Sequence, residues 1–182
     1  EYLAAIRALQ KHGIKVFADI VLNSRIGGDE TEVVRAIEQD NENRLQQIGD
    51  VHEIEAWTKY TFPGRKGKYS SFTWNSAYFD GIDYDERTKK SSIFLFEGKQ
   101  WDSKVGKEKA NYDYLLGADV DLHNPKVREE MLRWGEWYIA TTGVDGFRLD
   151  ATKHIGSDFY SWWLTSLRQK TDLELPTVGE YW

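Results

Sequence analysis

A helix followed by an apolar strand occurs at both ends of this sequence, and that repetition most constrains what the chain can fold into. "EYLAAIRALQKHG" carries Leu3, Ile6 and Leu9 at helical spacing, with Gly13 placed to stop the helix. "IKVFADIVLN" (14–23) then runs apolar and ends polar, the pattern of a strand covered on both faces. From Asn124 the unit returns. Asn124-Pro125 suits a helix start, Val127, Met131, Trp134 and Tyr138 share one face, and Gly143 closes the helix. "VDGFRLDA" reads as the next strand. Ser157 is placed to cap a further helix, "SDFYSWWLTSLRQKT", and "LPTVGEYW" is a last strand. Helices alternating with apolar strands predict a parallel α/β sheet, since parallel neighbours need a long crossover.

The stretch between, residues 24–123, is far too long for a simple βα connection, which takes about 2–6 residues. It is rich in aromatics, Gly, Ser and Asp, with a clear turn at "FPGRKGKYSSF". The expected organisation is therefore a helix and strand over 1–23, a small, irregular, strand-rich inserted domain over 24–123, and helix, strand, helix, strand over 124–182. "EQDNENR" (38–44) reads as a solvated loop or helix face. The sequence opens inside a helical pattern with no start methionine and stops at a strand, so both ends read as cut from something longer.

Composition narrows the function. Hydrophobic residues make up 40% and charged residues 30%, as in a soluble domain with its own core. A net charge of −6 with no basic run argues against nucleic acid. No apolar run approaches ~20 residues, so none is expected to span a membrane. With no cysteine there is neither a disulfide nor a thiolate zinc site, which suits the cytosol and bacterial secretion equally. Eight Trp and ten Tyr serve as packing, or as stacking platforms for sugar rings.

Polar groups collect at the strand ends: Asp19 and Asn23, then Arg148 and Asp150, then Glu180. In a parallel barrel such ends converge on the active site. Two carboxyl groups about 5 Å apart can cleave a glycosidic bond with retention. Asp150 suits the nucleophile, with Arg148 two residues away on the same face to keep it ionised. Glu180, beside Tyr181 and Trp182, suits the acid in a less polar setting. The competing reading is a structural Arg148–Asp150 pair and an exposed Glu180. Asp80, Asp102, Asp113, Asp119 and Asp121 are hard ligands of the kind Ca²⁺ takes, or else scattered surface acids.

"GFRLDATKH" resembles the α-amylase family motif that bears the nucleophile. "ADIVLN" resembles its motif at the third barrel strand, and "VGEYW" its acid-bearing strand, with Gly179 where Ala is frequent. The inserted stretches "WTKYTFPGRKGKYSSFTWNSAYFDGIDYDE" and "NYDYLLGADVD" extend the likeness over the whole chain, nearest to bacterial liquefying and cytoplasmic-type enzymes. The resemblance implies a (β/α)₈ TIM barrel, present here as about strands three to five, with a B domain inserted after the third. It implies α-1,4-glucan hydrolysis by Asp150 and Glu180 in a parent that is monomeric, with Asp19, Arg148, Lys153 and His154 binding substrate. It implies Ca²⁺ on Asn23, Asp113, Asp119 and the His154 carbonyl. Asp80, Asp102 and Asp121 match further ligands, where a second Ca²⁺ and a Na⁺ can sit.

Three departures accompany the resemblance. His123 stands where relatives often have another Asp. Ser24 stands where the family nearly always has a sugar-contacting His. The third catalytic acid of the family belongs to a later strand. An impaired or non-catalytic glucan-binding relative is therefore the alternative function, and a related enzyme of another specificity is a third. The isolated 182 residues are expected to be inactive alone, because a partial barrel leaves strand edges unpaired.

Overall fold

The computed structural model describes all of residues 1–182. The outer units form as the periodicity predicts. Helix α1 (Tyr2–Lys11) leads to strand β1 (Phe17–Ile20), and Gly13 takes the left-handed φ of +75° that lets the chain turn between them. Helix α2 (Pro125–Thr142) starts on Asn124, whose side chain accepts from the Lys126 amide at 3.0 Å, and ends on left-handed Gly143. Strand β8 (Gly146–Leu149), helix α3 (Ser157–Thr171) and strand β9 (Thr177–Gly179) complete the set. The order β1-β8-β9 is parallel throughout, with Asp19 beside Arg148 and Arg148 beside Val178.

Two local expectations need correcting. Ser157 does not cap α3; Gly156 occupies the cap position and makes no side-chain cap bond. A Cβ at 156 would lie 2.1 Å from the Asp102 carboxylate, so close packing from the insert decides that residue. Strand β1 is not covered on both faces. Ala18, Ile20, Phe147 and Leu149 pack into the core, where the Phe147 and Trp163 rings stack at 5.6 Å. Phe17, Asp19, Arg148 and Val178 line the other face, where Phe17 and Val178 remain exposed. The helices cover one side of this three-stranded sheet only.

The middle of the chain builds a six-stranded antiparallel sheet in the order β2-β7-β5-β6-β3-β4. Its strands are β2 (Ser24–Arg25), β3 (Glu30–Gln39), β4 (Gln47–Lys59), β5 (Phe79–Asp85), β6 (Lys90–Phe96) and β7 (Ala118–Val120). The sheet is more regular than expected. β3 and β4 form a long hairpin, and their charged residues alternate with apolar ones, so one face is wet and the other packs. The charge cluster 38–44 spans the hairpin turn, and it is not wholly solvated: Gln39 and Arg44 are buried. One continuous apolar core runs from Ile54, Phe79 and Phe94 of this sheet to Phe147 and Trp163 beneath the parallel one. No helix is long and apolar enough to cross a membrane.

Candidate active site

Strands β1, β8 and β9 run parallel, so their C-terminal ends lie side by side, and the residues there are Asp19, Arg148, Asp150 and Glu180. The Asp150 amide donates to the Ile20 carbonyl at 3.0 Å and the Glu180 amide to the Leu149 carbonyl at 2.9 Å. These bonds carry the ladder past the strands themselves and fix where both acids start. Arg148 is the centre of the group. Its Nη1 donates to Asp19 Oδ1 at 2.7 Å and to Asp150 Oδ1 at 2.6 Å, and its Nη2 pairs with Glu180 Oε1. Hydrogen bonds to Asp19 and then Asp150 raise the guanidinium pKa further above its ordinary value, so it stays charged at any working pH.

Glu180 is not in the apolar setting its neighbours suggest. Tyr181 and Trp182 are exposed and turn instead to Lys153, whose Nζ lies 5.6 and 5.7 Å from their ring centroids. The Glu180 carboxylate meets the Arg148 fork, while its backbone carbonyl accepts from the Thr152 amide at 3.0 Å. Lys153 is buried and pairs with Glu108 at 3.0 Å. The His154 ring is fully buried against Tyr112 at 4.4 Å, both ring nitrogens lack partners, and burial lowers its pKa. Its backbone carbonyl accepts from Asn23 Nδ2 at 3.1 Å.

That carbonyl belongs to a second cluster. Asp80 in β5, Asp113 in the segment before β7 and Asp119 within β7 are buried, and their carboxylate oxygens lie within 4.8 Å of one another. Asn23 Nδ2 reaches the Asp113 carbonyl and Asp119 Oδ1, each at 3.3 Å, while Asn23 Oδ1 is buried with no partner. A half-turn of this amide aims Oδ1 at the same oxygens, completing an all-oxygen cage suited to a hard cation. Electrostatics agree. Burial first, and then neighbouring acids, push Asp80 up to about 8 and Asp113 up to about 7, and Asp119 is raised well above the carboxylate range. Three acids so close cannot all ionise without a cation between them.

Asp102 and Asp121 lie outside this trio. Asp102 Oδ1 accepts from the Lys104 amide at 2.8 Å and Oδ2 lies 3.7 Å from His123 Nε2. Asp121 accepts from the His123 and Asn124 amides and pairs with Lys99. Ser24 sits in β2 opposite Asp119 and lines a cavity of about 220 Å³ with Arg25, whose guanidinium lies 3.9 Å above the Trp74 ring. Sequence reasoning missed Arg25 and Arg44. Burial lowers the Arg25 pKa to about 10. Arg44 is buried with its guanidinium over Tyr112 at 4.7 Å, the ring that also packs against His154. The nearest signal was the aromatic pair in "NYDYL", which gives a buried guanidinium two ring faces.

A three-stranded parallel sheet flanked by helices, with acids gathered at its C-terminal strand ends, defines a protein of the α/β class. The alpha-amylase catalytic-domain profile matches residues 2–180. The chain is 48% identical to an alpha-amylase of Geobacillus stearothermophilus, covering 100% of this chain and 34% of that protein. It is 46% identical to an alpha-amylase of Bacillus licheniformis, covering 100% and 36%. It is 40% identical to the cytoplasmic alpha-amylase of Escherichia coli strain K12, covering 100% and 38%. The chain belongs to the α-amylase family, and it spans between 34% and 38% of the length of these relatives.

Proposed function

We propose that the full-length protein is a retaining endo-hydrolase of α-1,4-glucosidic bonds in starch, glycogen or maltodextrins, with Asp150 as nucleophile and Glu180 as acid/base. The observation that carries this reading is the single Arg148 fork between the two acids. The fork brings both carboxyl groups to one strand-end cleft, as a double displacement with one nucleophile and one acid/base requires. Asp150 attacks the anomeric carbon while Glu180, which takes up a proton when substrate parts it from the Arg148 fork, gives that proton to the departing glycosidic oxygen. A covalent glycosyl ester forms. Glu180 then takes a proton from water, which displaces Asp150 and restores the original anomeric configuration. Arg148 keeps Asp150 ionised and in place. Asp19 stands beside it on the same guanidinium, whereas the Lys153 and His154 side chains, expected on the sugar, are buried against Glu108 and Tyr112 and brace the chain there instead.

Residues 1–23 and 124–182 are proposed as barrel segments and 24–123 as the inserted domain. Asn23, Asp80, Asp113, Asp119 and the His154 carbonyl would hold Ca²⁺, which when bound neutralises the buried acids where insert and barrel meet. A second Ca²⁺ or a Na⁺ would draw on Asp102 and Asp121, whose oxygens already have protein donors. The alternative, a glucan-binding relative with impaired catalysis, is favoured by Ser24, a short side chain at the cavity beside Arg25. Reducing-sugar release from soluble starch by the Ca²⁺-loaded full-length protein separates the two. Release supports hydrolysis; starch binding without release supports the alternative.

A further inference from the structure

Two exposed aromatic residues used by neither the core nor the strand-end site meet at one corner of the molecule. Tyr69 and Trp137 are 76% and 44% exposed, and their rings meet at 5.8 Å and 65°. Tyr69 comes from the turn after β4, and Trp137 from the outer face of α2. Between them opens a cavity of about 250 Å³, whose wall adds Ser70, Glu130, Arg133 and Trp134. We propose that this corner is a carbohydrate-binding platform that holds an α-glucan chain on the surface, away from the residues that cleave it. The proposal rests on the hydrolase reading above for the identity of the polymer.

The chemistry of the corner selects that ligand class. Two rings set at an angle offer one face for a sugar ring to stack on and one edge to stop it sliding. The polar wall offers donors and acceptors together. Ser70 Oγ donates to Glu130 Oε1 at 2.9 Å, and Arg133 pairs with the same carboxylate and the same hydroxyl. Sugar hydroxyls both give and accept hydrogen bonds, and such a wall can do the same.

Other ligand classes fit less well. An anion needs an uncommitted cation. Arg133 is neutralised by Glu130, and Arg65 is spent on the Ser70 and Phe72 carbonyls at 3.2 and 2.9 Å and stacked on Phe62 at 3.6 Å. A cationic ligand would meet both guanidinium groups. A stable protein interface buries about 1,200 Å² or more, well beyond two rings and a small cavity. The backbone beneath the platform is braced before any ligand arrives. Arg65 braces the turn, and Tyr69 holds a left-handed φ of +68°, so little ordering is left to binding. Arg65, Glu130 and Trp134 also line the neighbouring cavity that reaches Val21 and Ser24 beyond the end of β1. A chain resting on the corner is thus next to the strand-end side of the molecule.

The test uses the full-length protein with Asp150→Asn, so that polymer is not cut, and compares it with the same protein carrying Tyr69→Ala and Trp137→Ala. Retardation in native gels containing glycogen gives the affinity. In parallel, Tyr69→Ala and Trp137→Ala in the otherwise unaltered protein are assayed on a short maltooligosaccharide, which also reports folding. The platform predicts about tenfold weaker glycogen binding, the loss expected of two stacking rings, with unchanged turnover of the short substrate. Undiminished retardation with turnover intact overturns the platform and leaves the hydrolase reading standing. Absent turnover in the parent protein overturns the hydrolase reading instead. If the double variant does not fold, Tyr69→Ala alone, in an exposed turn, is held to the same two outcomes with a smaller expected loss.

Discussion

Arg148 organises the candidate site. One planar fork touches Asp19, Asp150 and Glu180, three acids from three strands, which a lysine's single ammonium could not hold in one plane. Asp150→Asn keeps the shape of the side chain and one acceptor for Arg148 but removes the attacking anion. In the full-length protein this variant is expected to lose nearly all hydrolysis while its far-UV circular dichroism is unchanged. Retained turnover would exclude Asp150 as the nucleophile. At this scale the sequence was informative where chemistry is local. Arg148 and Asp150 are two apart on a strand, so their shared face follows from the period of two. The reach of Arg148 to Glu180 does not follow, because it depends on β9 pairing beside β8.

The elements were legible wherever one pattern governed a whole segment. Asn124 and Gly143 bound α2 as their capping chemistry requires. Ser157 misled because a distant carboxylate, Asp102, claims the space at the cap and leaves room only for Gly156. The same kind of constraint governs Gly81 in β5. A Cβ there would stand 2.4 Å from the Phe94 carbonyl and 2.6 Å from the Trp101 ring. Gly81→Ala must push β6 or Trp101 away from the strand that carries Asp80. A destabilisation of about 1–3 kcal/mol is expected, the usual cost of overpacking a filled core, together with weaker Ca²⁺ binding. Thermal melts with and without Ca²⁺ measure both; an unchanged melt would show that β5 and β6 can part freely. The length and regularity of the β3–β4 hairpin were less readable, since its many charges resemble a solvated loop until the alternating face is seen packed.

On the scale of the molecule, the oxygen cage joins the two sheets. Asn23 follows β1, His154 follows β8, and Asp80 and Asp119 belong to the antiparallel sheet. The folded pKa values of Asp80 and Asp113, about 8 and about 7, lie above those of an unfolded chain. In the chelated protein these groups therefore hold protons that the unfolded chain has lost. Their contribution to stability is present at low pH and is lost as pH rises toward 7 and 8. Ca²⁺ reverses this by favouring the ionised acids, so EDTA should lower the melting temperature more at pH 8 than at pH 6. Equal melting curves with and without EDTA at pH 8 would count against the site. The resemblance grouped Asn23, Asp113, Asp119 and the His154 carbonyl and set Asp80 apart with Asp102 and Asp121, whereas in the structure the Asp80 carboxylate stands with those of Asp113 and Asp119. Only the crossing of β2, β5 and β7 sorts the acids that converge from those bound to local amides.

The central claim is that Asp150 and Glu180, gathered on Arg148, cleave α-1,4-glucosidic bonds by double displacement. Proton NMR of the first sugars released from a maltooligosaccharide by the Ca²⁺-loaded full-length protein tests it most directly. Two successive displacements predict new reducing ends that appear first as the α-anomer and only later mutarotate. A β-anomer formed first would contradict the covalent route through Asp150.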